Sequence, residues 1–169
     1  MPTASTSYIW VNIRYEGDAM YTDVITLFNR KEGDEGDTWY PSVLRNVQLN
    51  MDRAAIVAKY GATATDNAVL NVRCKDDGEN KIVSKKRWLP PKEWERQLDH
   101  SRTITFTGGD LFDFFWLGDW GSEEPVHDSD YFADKDFYTY MNRTHDYVFA
   151  VSSVGGPYSV IPHFEILGK

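Results

Sequence analysis

Residues 68–74 (AVLNVRC) set Val69, Asn71 and Arg73 against Leu70, Val72 and Cys74. Such alternation places side chains on opposite faces of a strand, and short runs of this type, cut by turns, recur along the chain. Residues 22–29 (TDVITLFN) put Val24, Thr26 and Phe28 on one face and Ile25 and Leu27 on the other. The stretch 31–37 (KEGDEGD) holds two glycines and four acids, a turn by composition. Residues 38–50 (TWYPSVLRNVQLN) follow, with Val43, Val47 and Leu49 apolar. Pro41 falls near the start of that run, where a missing N–H is tolerated at an edge or at the beginning of a strand. Together 22–50 predicts a β-hairpin with a long loop. Residues 102–107 and the very apolar 111–118 (LFDFFWLG) read as strands separated by a GGD turn, and 146–154 and 158–167 as a closing hairpin joined by Gly-Gly-Pro.

Helical signals are few. Residues 89–97 (LPPKEWERQ) suit one or two turns, since Pro91 fits a first turn and Glu93 and Glu95 favour the positive helix start. A second helix is expected over about 134–143, where Phe137, Tyr140 and Met141 fall partly at helical spacing. Residues 51–61 are ambiguous: alanines favour a helix, yet the segment is short to stand alone. Residues 74–81 (CKDDGENK) read as a turn, and 8–15 (YIWVNIRY) as a strand or extended arm. The sum is a mainly-β fold, a small β-sandwich or barrel of seven to eight short antiparallel strands with one or two short helices. It is expected as a single domain over 22–169, preceded by an N-terminal extension or arm over 1–21 that can pair with a neighbour's strand edge.

The chain's 169 residues suit one such domain. At 41% hydrophobic and 26% charged it is too apolar to be disordered. No apolar run approaches the ~20 residues of a membrane span, which argues against an integral membrane protein. No secretory signal is visible at the N-terminus. The single cysteine, Cys74, can form no intrachain disulfide, which fits a reducing compartment. The formal charge of -8 is unevenly placed: residues 1–107 hold 15 acids and 15 bases, and residues 108–169 hold 11 acids and three bases. Lys81, Lys85, Lys86, Arg87, Lys92, Arg96 and Arg102 make 81–102 basic, whereas 110–136 carries nine acids against Lys135. An acidic balance argues against a specific DNA binder. The two stretches read as two solvated surfaces or as opposite poles on one subunit, the latter suited to head-to-tail contact between copies.

Catalytic constellations are not evident. Cys74 has no adjacent base and reads as a small core residue. No nucleophile elbow, P-loop, dinucleotide fingerprint or C-x-x-C occurs. His127–Asp128 and His145–Asp146 are adjacent pairs, which on a strand point to opposite faces and chelate poorly. Asp110 with Asp113, or Glu123 with Glu124, has the residue type of a glycosidase pair, and geometry alone decides that. No catalytic residue, cofactor or metal is therefore expected. The 15% aromatic content is unusual. Phe112, Phe114, Phe115 and Trp116 are expected to fill the core. Trp39, Tyr40, Trp88, Trp94, Trp120 and Tyr131 lie beside turns and charges, as core edge, interface anchors or a sugar-stacking platform.

Several stretches carry a resemblance: DVITLFNR, GDTWYPSVLRNVQLN, DNAVLNVR, WLPPKEWE, GD-x-FDFF, and the ending DYVFAVSSV with PHFEILGK. Over roughly 20–169 the chain resembles a family of uncharacterised proteins from the structural gene region of tailed phages and prophages, similar in layout to head–tail connector, head-closure-like proteins. The resemblance implies a non-enzymatic virion protein at the neck. It would be made in the bacterial cytoplasm and assembled as a ring of copies of itself between portal or adaptor and tail proteins. DNA would pass non-specifically through an acidic channel, with no membrane involved. Expected subunit contacts are Lys85, Lys86, Arg87 and Trp94 on one side and Asp119, Trp120, Glu123 and Glu124 on the other. A tail terminator or tail-completion protein, and a carbohydrate- or host-surface-binding module, are the alternatives.

Overall fold

The structure, a computed structural model, describes residues 20–51 and 68–169. The expected strand or arm over 8–15, and all of 51–61 but Met51, lie outside them. The described residues contain eleven strands: β1 (Asp23–Lys31), β2 (Thr38–Met51), β3 (Ala68–Arg73), β4 (Lys75–Asp77), β5 (Asn80–Val83), β6 (Lys86–Trp88), β7 (Thr103–Ile104), β8 (Phe114–Leu117), β9 (Val126–His127), β10 (Val148–Tyr158) and β11 (His163–Gly168). Two short helices join them, α1 (Pro91–Glu95) and α2 (Phe137–Thr144), with a 3-10 segment over Asp128–Asp134.

Six strands pair in the order β1, β8, β10, β11, β3, β2, and β2 pairs back to β1, so the sheet closes into a barrel. Every pair around the ring is antiparallel. The mainly-β expectation is met in its barrel form, with β9 added beside the start of β2. Alternation sorts side chains into two cores. Ile25 and Leu27 of β1, Leu44 of β2, Leu70 and Val72 of β3, Phe115 of β8, Phe149 and Val151 of β10, and Phe164 and Ile166 of β11 fill the inside. Each buried side chain of this size contributes about 1.5–3 kcal/mol.

The intervening residues Phe28, Phe114 and Val148 face outward, where Trp39 and the α2 residues Phe137 and Met141 join them in a second core. Phe28 stacks on Phe114 at 4.7 Å and meets Phe137 edge-on at 5.2 Å. α2 is started by Asp136, whose carboxylate accepts the Thr139 amide at 2.7 Å.

A second sheet, in the order β4-β5-β6-β7, leans on the barrel and sends Val83 and Ile104 into the inner core. Residues 74–81, expected as a turn, are in fact the turn and both arms of the β4–β5 hairpin. The closing hairpin also differs in detail. Its turn lies at 159–162, while Gly156 and Pro157 sit within β10 where the register slips between Gly155 and Tyr158. Gly156 is required there, because its φ of 102° is one that residues with a side chain rarely adopt and a Cβ would lie 2.8 Å from the His163 carbonyl oxygen.

Candidate functional site

β2 and β3 run side by side only from Gln48–Asn71 to Met51–Ala68. Asn46 has a φ of 55°, in the left-handed region that asparagine tolerates, and it precedes the register slip of β2 against β1. From there towards Thr38 the two barrel strands part. The opening is a cleft of about 670 Å³ bounded by Ser42, Val43, Leu44, Arg45 and Asn46 of β2, Arg73, Cys74 and Lys75 at the end of β3, and the β5–β6 hairpin with Ile82 and Ser84–Lys86. Glu123 closes one end.

Five cations line this opening in a chain of net charge -8: Arg45, Arg73, Lys75, Lys85 and Lys86. Lys86 is largely covered, with its side chain 12% exposed, and its ammonium donates to the Ser42 hydroxyl at 2.8 Å and lies 3.5 Å from Glu123. Arg45 pairs with Asp119. That guanidinium, with the Gly121 amide, holds the Asp119 carboxyl below its ordinary range. Arg73 lies over the Tyr21 ring at 3.9 Å. Lys75 and Lys85 are exposed and have no ion pair among the described residues. The floor between them is apolar, made by Val43, Leu44, Cys74 and Ile82. Burial pushes the Cys74 thiol up, away from reactivity.

The hairpin that carries Lys85 is bent against its own preferences. Val83 pairs with Lys86, so Ser84 and Lys85 form a two-residue turn, and both have positive φ, 46° and 71°. A turn of that hand favours Asn-Gly. Holding two ordinary side chains in the left-handed region costs about 1–2 kcal/mol each. Replacing the pair by Asn-Gly is expected to raise unfolding free energy by roughly 1 kcal/mol in urea titrations. An unchanged midpoint would show that the turn is unstrained.

The expected contact residues are redistributed by this geometry. The basic and acidic stretches do not form separate poles: Lys86 meets Glu123, and Arg45 meets Asp119, inside one subunit. The split along the sequence disappears because the strands bring residues 45, 86, 119 and 123 to one side of the fold. Lys85 and Arg87 are exposed, Arg87 in the β6 ladder outside the cleft, and Glu124 is exposed in the loop before β9. Trp94 is no surface anchor. At 2% exposure it packs under α1 against His100, ring centres 4.1 Å apart, and against Tyr40. Trp120 is half-buried, edge-on to Phe28 and Phe137 in the outer core.

Sequence reasoning missed Arg45, Arg73 and Lys75, which are dispersed in alternating strands and gain meaning only when β2 and β3 are adjacent. Of the aromatic residues considered for a sugar platform, Trp39 and Trp94 are buried and Tyr40, Trp88, Trp120 and Tyr131 are half-buried. Asp110 and Asp113 do not face each other as a catalytic pair. Asp113 is enclosed, accepting the Arg30 and Thr107 amides at 2.9 and 2.7 Å and the Asn29 side-chain amide at 2.9 Å, while Asp110 is exposed. Among the described residues no three His, Cys, Asp or Glu side chains group to hold a metal, and no helix is long and apolar enough to cross a membrane.

Comparison with curated proteins and with solved structures finds no match to either. One family model does match, over residues 20–169, beginning where the described fold begins. With nearly all of its length inside that match, the chain belongs to a family of unknown function, DUF6751.

Proposed function

We propose that this chain is a non-enzymatic structural protein of a tailed-phage virion, one subunit of a ring at the head–tail junction. The observation that supports it best is the tip of the β10–β11 hairpin. Val160 is 95% exposed and Ile161 67%, beside Tyr158 at 45%. An apolar knob on a barrel that has closed its own sheet suits insertion into an adjoining protein. Glu124 and Asp130 are exposed as well, with no ion pair among the described residues, and their charge would repel DNA sliding past. The proposed place in the virion rests on the phage-family resemblance of residues 20–169.

Since Lys86 and Arg45 spend their charge within the subunit, contacts between copies fall to the hairpin tip and to the exposed Lys85, Arg87 and Glu124. The neighbours would be further copies, the portal or adaptor below the head, and the tail. The test is gold labelling of intact virions together with deletion of the gene. Label at the neck, and separate DNA-filled heads and finished tails in the deletion lysate, are the expected results. Tails of abnormal length would instead indicate a terminator, and normal infectious particles would overturn the reading.

A further inference from the structure

We propose that the cleft between β2 and β3 receives an extended acidic polypeptide segment of a partner protein, which adds as a strand to the open edge of β2. The hydrogen-bonding direction of that edge follows from the ladder. On β1 the Val24 carbonyl accepts the Gly118 amide and the Arg30 amide donates to Asp113, both on the β8 side. Antiparallel strands alternate, so Ile25, Leu27 and Asn29 bond β2 through their partners Leu44, Ser42 and Tyr40. Pro41, Val43 and Arg45 therefore turn their backbone groups away from β1. That side of β2 is covered by β9 at Thr38 and Trp39 and by β3 from Gln48 onward, with no strand between among the described residues. Among the described residues the Val43 carbonyl accepts on that side only from the Ser84 hydroxyl, at 3.4 Å.

An unpaired edge invites another strand. Pro41 has no N–H and so blunts the edge at one end, which leaves Val43 and Arg45 as the pairing residues and sets the register. The chemistry of the occupant follows from the walls. An added strand turns alternate side chains to opposite sides, so one set would rest on the apolar floor and the other would meet Lys75 and Lys85, the two cations without ion pairs among the described residues. Glu123 and Asp119 already show which group this rim accepts. A nucleic-acid backbone answers the cations but offers no N–H for the Val43 and Arg45 carbonyls. This inference stands on the cleft and is independent of the virion reading.

The test uses the full chain and a fluorescein-labelled, end-blocked ten-residue peptide of alternating glutamate and valine. The comparators are the lysine–valine peptide, pyrophosphate and a 20-base-pair DNA duplex. The glutamate–valine peptide is expected to bind and the lysine–valine peptide not to. The double variant Lys75→Glu/Lys85→Glu should weaken binding at least tenfold. Val43→Pro removes one edge N–H without touching charge, and should fold normally while also losing at least tenfold in affinity. Hydrogen exchange supplies a check that needs no variant: peptide should slow exchange at the Val43 and Arg45 amides. The proposal is overturned if the peptide fails to bind, if it binds without protecting those amides, or if only pyrophosphate or DNA occupies the cleft.

Discussion

Replacing Asp128 by alanine is expected to destabilise the fold by roughly 3–5 kcal/mol, since each buried donor left without a partner costs about 1–3 kcal/mol. Asp128 is 7% exposed. One carboxylate oxygen accepts the Trp39 indole N–H at 2.8 Å and the Phe137 amide at 3.0 Å, and the other accepts the Asp37 amide at 3.0 Å. Its own amide donates to the Asp37 carbonyl. A single side chain thus ties the β1–β2 loop, β2 and the start of α2 together over the outer core. For a domain of this size the loss amounts to a fall in Tm of about 6–20 °C, at roughly 2–4 °C per kcal/mol. Asp128→Asn should lose about half as much, because its amide oxygen still accepts from Trp39 and Phe137 while its NH2 opposes the Asp37 amide. Calorimetry of both variants is the measurement. An alanine variant within 1 kcal/mol of wild type would show that the outer core does not depend on this carboxylate.

Raising the pH from 4 to 7 is expected to remove a stabilising contribution from Asp113. Burial pushes its carboxyl up from 3.8 to about 7, against the Arg30 and Thr107 amides and the Asn29 side chain, which pull it down. The folded state therefore holds a proton that the unfolded chain has released. The contribution is complete below the unfolded value of 3.8 and is lost as pH rises through about 7. Three units correspond to on the order of 4 kcal/mol. Other groups act with the opposite sign. Burial, then the charge of Lys31, holds the His100 imidazole below its usual range, so its contribution is present above the ordinary histidine value and lost as pH falls. The readout is consequently the difference between wild type and Asp113→Asn in urea titrations: it should be largest at pH 4 and shrink by several kcal/mol by pH 7. A difference that stays flat across that range would remove the carboxyl from the account.

How far the fold could be read depended on how local its signals were. The hairpin over 22–50, the strand at 68–74 and the start of α1 at Pro91 carry their reasons in adjacent residues, and the structure places them within a few positions of expectation. Phe114 and Phe115 are both interior, as their apolar run predicts, although alternation sends them to two different cores. The β4–β5 hairpin was hidden because Lys75, Asp76 and Asp77 are all exposed and give no apolar rhythm. Trp94 looks like a surface anchor because its neighbours in sequence are charged, while Tyr40, which helps bury it, lies far along the chain and His100 folds back onto it only after α1 has ended. The cleft was illegible for the same reason. Its cations come from three separated segments, and the parting of β2 from β3 follows from the backbone at Asn46, which no side-chain pattern announces.

Ring closure also has a temporal side. On one side of the ring β10 and β11 bridge β8 to β3, so two of the six staves are supplied by residues 148–168. While a ribosome is still elongating through that stretch, β3 and β8 are paired to β2 and β1 on one edge and lack a partner on the other. Contacts this distant along the chain form slowly, and the nascent polypeptide must keep Leu70, Val72 and Phe115 from straying until the last stave emerges. Final assembly of the barrel accordingly waits until β11 has been made, and loss of β11 alone would open the wall at two seams at once.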